Sequence, residues 1–250
     1  MSGSAAREQK QIDICGNCAV GCSYIFQGLP PEEFAKIAAV MRPMKLAAGE
    51  TIFHEGLPAF GLYIICRGKV KLAKHTRAGH AQILKLLGPG EILGEKTLFD
   101  QETYTSFAKT LEPSQLVFIP REEFMAFIKE HPEVAIRLIE KLSRELKAFG
   151  EKLVEVTSRS AKERVARLLW ELANAYGEET EEGLDVGVEL PRAELAEMAG
   201  VSKETAIRIL SELKDRDIIS LPGRRIVIKD LEKLRKLVHP FSTPLKENLL

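Results

Sequence analysis

Three of the four cysteines of this chain lie close together near its N-terminus, where Cys15, Cys18 and Cys22 form a C-x2-C-x3-C pattern. Thiolates at this spacing suit a soft metal or an iron–sulfur cluster, because a short loop lets several sulfurs converge on one centre. Gly16 and Gly21 allow the backbone to approach that centre closely. The segment is therefore predicted to hold a metal or redox site, since a chain of this size without a recognisable secretory signal needs no disulfides.

A second group of residues, in the sequence 190–228, is suited to binding DNA. A short predicted helix over Arg192–Met198 is followed by a turn that contains Gly200. Ser202 is a good N-cap for a second helix that runs to about Asp215. Two helices joined by a short turn with glycine form a helix-turn-helix unit, although any helical hairpin shares that outline.

The second of these helices has two different faces. Its apolar stripe, expected to be buried, consists of Ala206, Ile209, Leu210 and Leu213. On the other face Arg208 can bond guanine, Glu204 can accept a bond from cytosine, and Ile207 can contact a thymine methyl. The residues predicted to contact DNA from this helix are Ser202, Lys203, Glu204, Ile207, Arg208 and Ser211.

The sequence IISLPGRRIVI that follows predicts a β-hairpin with Arg224 and Arg225 at its tip. Arginines at such a tip can contact DNA phosphates. An N-cap, a turn glycine, a polar reading face and a basic hairpin occur together here. This combination favours a winged helix-turn-helix over an ordinary helical hairpin.

A long helix is predicted over 131–158, because apolar residues recur there in steps of four and three. Such a heptad pattern is typical of a coiled-coil seam and predicts a homodimer, whereas a helix that packs only on its own domain favours a wider stripe. The residues predicted to line the dimer interface are Ile139, Leu142, Leu146, Phe149, Leu153 and Val156.

The remaining sequence predicts an α+β protein with a β-roll, or jelly roll, before the long helix. Short β-rich runs between Met44 and Pro120 are separated by glycine and proline signals. An acidic run over Glu178–Glu189 is expected to be a solvated loop. The predicted organisation is a cysteine-rich segment (1–28), a β-roll sensor domain (29–130), a dimerisation helix (131–158), a winged helix-turn-helix domain (159–236) and a tail (237–250).

Composition excludes several classes of protein. A hydrophobic content of 45% and a charged content of 29% are typical of a globular chain and exclude a disordered one. The balance of 36 basic and 36 acidic residues excludes nucleic-acid coating by bulk charge. The absence of a long apolar run predicts no membrane span, and the polar N-terminus predicts a cytoplasmic location. No motif for phosphate binding, zinc hydrolysis or a catalytic nucleophile is present, so an enzyme is not expected.

The order of β-roll, long helix and winged helix-turn-helix resembles the Crp/Fnr superfamily of bacterial transcription regulators over roughly 29–228. The segments that carry the resemblance are GLYIICRGKVKL, GEILGEKTLF with Gly94 and Glu95, and VSKETAIRILSEL. In the last of these, Glu204 and Arg208 match the base-reading pair E-x-x-x-R. The resemblance implies a homodimer on double-stranded DNA with a two-fold-symmetric operator, and RNA polymerase as a partner.

The resemblance also bears on the effector that the protein senses. Glu95 matches the acid that holds ribose hydroxyls in cyclic-nucleotide members, whereas Tyr104 and Thr105 stand where those members have an Arg-Ser pair for the phosphate. Without that arginine the phosphate lacks its main charge partner, so cyclic AMP is not the expected effector.

The N-terminal cysteines instead look like those of the Fnr branch, which hold an oxygen-labile [4Fe–4S] cluster. The fourth cysteine of that branch would fall at Val117. Cys66 is the candidate replacement, although it could equally be a core thiol, and Asp13 is a further candidate. Zinc on the same cysteines, a thiol switch, or another small effector in the roll are the alternatives.

Overall fold

A computed structural model of the protein describes residues 23–76, 81–99 and 103–238, without the side chains of 152–158. Cys15, Cys18, Cys22 and Asp13, and all but the first two residues of the predicted tail, therefore lie outside the described residues. The chain divides into two compact units, which meet in sequence at Lys147 and Ala148. No helix among the described residues combines the length and the apolar character needed to cross a bilayer.

The first unit contains eight strands and the first two helices. Its strands are β1 Arg42–Leu46, β2 Thr51–Phe53, β3 Gly61–Arg67, β4 Val70–His75, β5 Ala81–Leu87, β6 Ile92–Leu93, β7 Phe107–Thr110 and β8 Ser114–Pro120. Its complete helices are α1 Pro31–Val40 and α2 Arg121–Glu130, with short 3-10 turns at Tyr24–Phe26 and Glu95–Thr97. Helix α1 begins at a proline followed by Glu32 and Glu33, which suit the positive end of a helix dipole.

The strands form two four-stranded antiparallel sheets, ordered β1-β8-β3-β6 and β2-β7-β4-β5. Alternation along β3 places side chains on both faces of the first sheet. Tyr63 and Ile65 contact the core between the two sheets, whereas Leu62 and Ile64 contact a second core on the outer face. That outer core is completed by Ile25, Phe26 and the apolar sides of α1, α2 and the start of the long helix. The β-roll predicted from the short strands is confirmed.

The long helix, α3, spans Pro132–Ser158. Its first turns pack on the outer core of the roll through Val134 and Leu138, which are buried. The boundary between the two compact units falls within this helix.

The second unit consists of helices around a small sheet. The helices are α4 Ala161–Tyr176, α5 Arg192–Ala199, α6 Lys203–Asp215 and α7 Leu231–Leu237, and the sheet has the order β11-β12-β10-β9. Its strands are β9 Glu178–Thr180, β10 Gly183–Asp185, β11 Ile219–Ser220 and β12 Val227–Ile228. Helix α4 starts with a capping box in which Ser160 and Glu163 bond each other's backbone N–H groups.

The acidic run was expected to be a loop, and this expectation is wrong. Residues 178–185 instead form the β9–β10 hairpin, in which Leu184 and Asp185 are buried. Pairing with β12 provides backbone partners that offset the low strand propensity of acidic residues.

Candidate nucleic-acid interface and effector site

The helix-turn-helix geometry is built by α5, α6 and the turn between them. Helix α5 ends at Gly200, which adopts the left-handed conformation with φ of 63°. Glycine adopts this conformation at little cost, so it lets the chain reverse direction in a tight turn. Ser202 then caps α6, because its Oγ accepts a hydrogen bond from the backbone N–H of Thr205 at 3.2 Å. The predicted helix-turn-helix, its turn at Gly200 and its N-cap at Ser202 are confirmed.

Helix α6 presents the two faces expected from its sequence. The apolar stripe Ala206, Ile209, Leu210 and Leu213 is buried. The opposite stripe is exposed, and Ile207 keeps 45% of its surface accessible beside the charged Glu204 and Arg208. Lys203 and Ser211 are exposed on the same helix. An exposed isoleucine between charges suits contact with a thymine methyl, and the arginine suits guanine. These assignments to DNA remain predictions.

Arg164 of α4 holds the helix-turn-helix turn in place, although no local sequence pattern identifies it. Its Nε and Nη2 donate to the backbone oxygens of Ala199 and Gly200, each at 3.0 Å, and its Nη1 donates to that of Arg159 at 2.9 Å. A guanidinium satisfies several carbonyls at once because its donors are fixed in one plane. Arg164 therefore satisfies carbonyl groups left over at the C-terminal end of α5.

Arg164→Leu is expected to lower the free energy of unfolding of the second unit by about 2–3 kcal/mol, because partly buried carbonyls lose a charged donor. Trp170, the only tryptophan, lies in α4, so its fluorescence during urea denaturation reports this unit. Arg167→Leu on the same helix, whose side chain pairs with Glu171 instead, is the matched control. Equal unfolding free energies for Arg164→Leu and the control would contradict the assigned role.

The predicted hairpin tip is formed between β11 and β12, with Gly223 at φ of 62°. Its two arginines differ in their surroundings. Arg225 donates from Nε to Asp185 Oδ2 at 2.5 Å, and Asp185 also accepts from the N–H of Gly187. Arg224 is exposed. Arg225 thus helps to hold the tip against β10, which leaves Arg224 as the better placed of the two for contact with a phosphate.

Helix α3 carries an exposed apolar stripe. Ile136, Ile139, Leu146 and Phe149 expose 57%, 60%, 73% and 66% of their surface. Leu142, predicted for the same seam, is partly buried and packs on the outer core of the roll. The side chains of Leu153 and Val156 lie outside the described residues. A helix face that stays in contact with water does not favour such a row of large apolar side chains.

The roll places Glu95 in a buried position where a ligand would bind in a cyclic-nucleotide member. Gly94 precedes it at φ of 83°, and the Glu95 side chain is only 6% exposed. Lys141 of α3, a residue that sequence reasoning missed, donates from Nζ to Glu95 Oε1 at 2.6 Å. The two residues are 46 positions apart, so no periodic pattern connects them. The carboxylate of Glu95 is thus already paired with an ammonium group of the protein itself.

The Glu95–Lys141 pair belongs to a wider set of ion pairs between the roll and α3. Lys141 also contacts Glu145 at 2.7 Å, and Glu145 contacts Lys85 at 3.4 Å and Lys96 at 3.5 Å. Burial alone would raise the pKa of Glu145, but Lys141, Lys85 and Lys96 lower it to about 2. Glu145 is therefore ionised at neutral pH. The ion pairs hold one face of α3 against the 3-10 turn at Glu95–Thr97.

Tyr104, which stands at the position of the family's phosphate-binding arginine, is turned into the roll. Its ring stacks on Phe53 with centroids 4.0 Å apart, and its hydroxyl donates to the backbone oxygen of Gly61 at 3.3 Å. Burial, together with the neighbouring Tyr63, raises the pKa of Tyr104, so the phenol stays neutral. Thr105 is exposed. A neutral, stacked phenol cannot supply the positive charge that a cyclic phosphate requires.

Cys66 lies on β3, on the same face of the sheet as Leu62 and Ile64. It is partly buried and packs against the outer core, which also contains Ile25 and Phe26. These two residues follow Cys22 by three and four positions. In the part of the chain that the structure describes, no three His, Cys, Asp or Glu side chains come together as a metal site.

Comparison with known proteins agrees with this architecture. Residues 43–131 match the family model of the cyclic nucleotide-binding domain, and residues 163–237 match that of the Crp-like helix-turn-helix domain. The chain is similar in fold to the structure of FixK2 from Bradyrhizobium japonicum, with a TM-score of 0.71 and 23% identity over 81% of this chain and 100% of that one.

Two curated relatives are similar over most of their length. The CRP-like cAMP-activated global transcriptional regulator of Mycobacterium tuberculosis is 32% identical over 85% of this chain and 95% of its own. The cyclic AMP receptor protein of Thermus thermophilus is 30% identical over 86% and 96%. The family that these matches show consists of transcription regulators rather than enzymes, as the sequence predicts. The chain belongs to the Crp/Fnr family of DNA-binding transcription regulators.

Proposed function

We propose that this regulator binds a two-fold-symmetric DNA site as a homodimer, and that its N-terminal cysteine segment holds a [4Fe–4S] cluster whose presence controls DNA binding. The exposed reading face of α6 is the observation that supports sequence-specific DNA contact. RNA polymerase and a cytoplasmic location belong to the same proposal, because a transcription regulator acts where DNA is transcribed.

The exposed stripe of α3 supports the homodimer. A parallel partner helix would cover Ile139, Leu146 and Phe149 and remove a row of apolar side chains from water. In a two-fold-symmetric dimer the two α6 helices reach half-sites about one turn of DNA apart, as a symmetric operator requires.

The spacing of the cysteines supports the cluster. Cys66 is the candidate for the fourth ligand, because it packs against the same core as Ile25 and Phe26, which follow Cys22 by three and four positions. Cys15, Cys18, Cys22 and Cys66 would then hold the cluster through four thiolates. Such a cluster supplies reactivity toward oxygen and other oxidants. The chain's own cysteines would provide the sulfur ligands.

A cyclic nucleotide in the roll is the second candidate for the effector. It is favoured by the names of the two curated relatives, both of which refer to cyclic AMP, and by the buried carboxylate of Glu95. Against it stand the buried phenol of Tyr104 and the ammonium of Lys141 on that carboxylate. The cysteine segment therefore explains the sensing role better than the roll does.

Protein purified without oxygen is expected to contain about four iron and four sulfide per chain and to absorb visible light, with the colour fading in air. Replacing Cys15, Cys18 or Cys22 with serine should remove most of the iron, because one thiolate of the cluster is lost. Iron and sulfide analysis, together with a DNA-binding titration before and after exposure to air, measures both parts of the proposal.

Cys66→Ser separates the two roles of that residue. Loss of iron in this variant supports a ligand, whereas full iron content with lower stability supports a core thiol. Stoichiometric zinc with no response to oxygen would indicate a zinc site in place of the cluster. DNA binding that responds to cyclic AMP and not to the cysteine variants would place the sensor in the roll instead.

A further inference from the structure

Residues 23–28, which follow the last of the clustered cysteines, are attached to α3 by a specific set of contacts. Ile25 and Phe26, in the 3-10 turn at Tyr24–Phe26, are buried in the outer core of the roll. The Tyr24 side chain is 36% exposed and lies on α3 instead. The turn therefore fixes the chain three residues after Cys22 and aims one tyrosine at the long helix.

Tyr24 contacts two charged residues of α3. Its hydroxyl donates a hydrogen bond to Glu140 Oε2. The guanidinium of Arg144 lies 4.4 Å from the centroid of the Tyr24 ring, and its Nη1 donates to the hydroxyl at 3.4 Å. An arginine over an aromatic face is attracted by the ring's negative potential. We call Tyr24, Glu140 and Arg144 the tyrosine clamp.

The clamp borders the exposed apolar stripe of α3. Successive residues of a helix are rotated by about 100°, so Arg137, Glu140 and Arg144 share one face. Glu140 is rotated by only about 40° from Ile136, so it borders the exposed face, whereas Arg144 lies farther from that face. A third side of the helix carries Lys141 and Glu145, which face the roll.

A second contact extends this attachment. A Cβ added to Gly28, which has φ of 77°, would lie 3.4 Å from Nη2 of Arg137, so this guanidinium packs beside the loop that leaves the turn. The segment from Ser23 to Gly28 thus follows the charged face of α3 for about two helical turns. The residues that follow Cys22 therefore contact α3 through its charged face.

We propose that Tyr24 is a positioning residue that couples the cysteine segment to dimerisation, by holding Glu140 at the edge of the apolar stripe. The inference rests on the proposed function, because the cluster is its input and the dimer is its output. With the clamp closed, the Glu140 side chain is drawn toward Tyr24 and away from the stripe that a second copy would cover. With the clamp open, it is free to lie beside the stripe, where its charge would have to lose water on dimerisation.

The test uses the protein with Tyr24→Phe, which keeps the ring under Arg144 and removes the hydroxyl that bonds Glu140 and Arg144. We expect unchanged iron and sulfide content, and a dimer dissociation constant raised by about three- to tenfold in the cluster-loaded protein, the range that one ordinary hydrogen bond supports. Adding Glu140→Ala to Tyr24→Phe should return the constant toward that of the wild type, because the released carboxylate is then absent. Sedimentation velocity over a range of protein concentrations measures the dissociation constant.

Glu151→Ala is the matched control, because Glu151 is exposed and lies eleven residues, or about three turns, farther along the same side of α3. Its dissociation constant should equal that of the wild type. Equality between the wild type and Tyr24→Phe would overturn the clamp, whatever the iron content. Preparations that bind no iron but lose dimer affinity in Tyr24→Phe would overturn the proposed cluster and retain the positioning role.

Discussion

Lys141→Met is expected to destabilise the first unit by about 3–5 kcal/mol, the cost of leaving one member of a buried ion pair without its partner. The side chains of Lys141 and Glu95 are only 13% and 6% exposed, so water cannot replace the lost ammonium group. The loss is a large fraction of the roughly 5–15 kcal/mol that stabilises a typical domain. Urea denaturation followed by circular dichroism measures it, and Trp170 fluorescence provides an internal reference from the second unit.

The partner variant should behave differently. Glu95→Gln leaves Lys141 with its second acidic partner, Glu145, at 2.7 Å, so this change should cost less than Lys141→Met. The double variant should recover part of the stability lost in Lys141→Met, because no uncompensated carboxylate remains at position 95. Lys147→Met, at an exposed position of the same helix, is the control. Additive losses in the double variant would show that the two groups do not interact.

Helix α3 is attached to the rest of the first unit at two places, and the Glu95–Lys141 pair is one of them. On one side Lys141 and Glu145 hold the helix to the 3-10 turn at Glu95–Thr97. On another side Glu140 and Arg144 hold it to Tyr24. The exposed stripe lies on a third side. A signal that altered either attachment would therefore change the surface next to the stripe, where the proposed second copy would bind, without a change in the stripe itself.

Features that repeat at a fixed period could be predicted from the sequence. The strands of the roll follow from short β-rich runs between turn residues, and the helix-turn-helix follows from Gly200, Ser202 and the apolar stripe of α6. In each case one residue type at one spacing has a direct local consequence. The heptad pattern of α3 predicts an apolar stripe, but it does not indicate which of its residues the roll covers. Leu142 packs on the roll, because it is rotated by about 60° from Ile139, toward the side of the helix that carries the buried Leu138.

Contacts between distant residues could not be predicted in this way. Lys141 with Glu95, Tyr24 with Glu140 and Arg164 with Gly200 are separated by 46, 116 and 36 positions. Each depends on how the elements pack, and packing leaves no periodic trace in a single sequence. The β9–β10 hairpin was missed for the same reason, since its partner strand β12 lies about forty residues later.

The hairpin tip shows how such contacts change the interpretation of a motif. Two adjacent arginines look equivalent in the sequence, and both were predicted to contact phosphates. In the structure Arg225 bonds Asp185, a residue of the acidic run that lies in β10 rather than in a loop. Both arginines are exposed, so the ion pair with Asp185, rather than burial, distinguishes Arg225 from Arg224.

Arg208→Ala is expected to reduce the preference for the specific DNA site over random DNA by about 1–3 kcal/mol, or roughly five- to 150-fold in relative affinity. The reason is that a guanidinium can make two hydrogen bonds with one guanine edge, which alanine cannot replace. Duplexes enriched by the wild-type protein from a random pool provide the site. Competition binding at a fixed salt concentration then measures specific and random duplexes side by side.

Two further variants separate base reading from charge. Arg208→Lys keeps the positive charge but loses the two-pronged geometry, so it should resemble Arg208→Ala in preference while retaining more affinity for random DNA. Arg224→Ala should instead weaken specific and random binding by a similar factor and reduce the salt dependence by about one counterion, as expected for a phosphate contact. If Arg208→Ala kept the wild-type preference and merely bound all duplexes more weakly, Arg208 would be a phosphate contact, and base reading would have to come from Glu204 and Ile207.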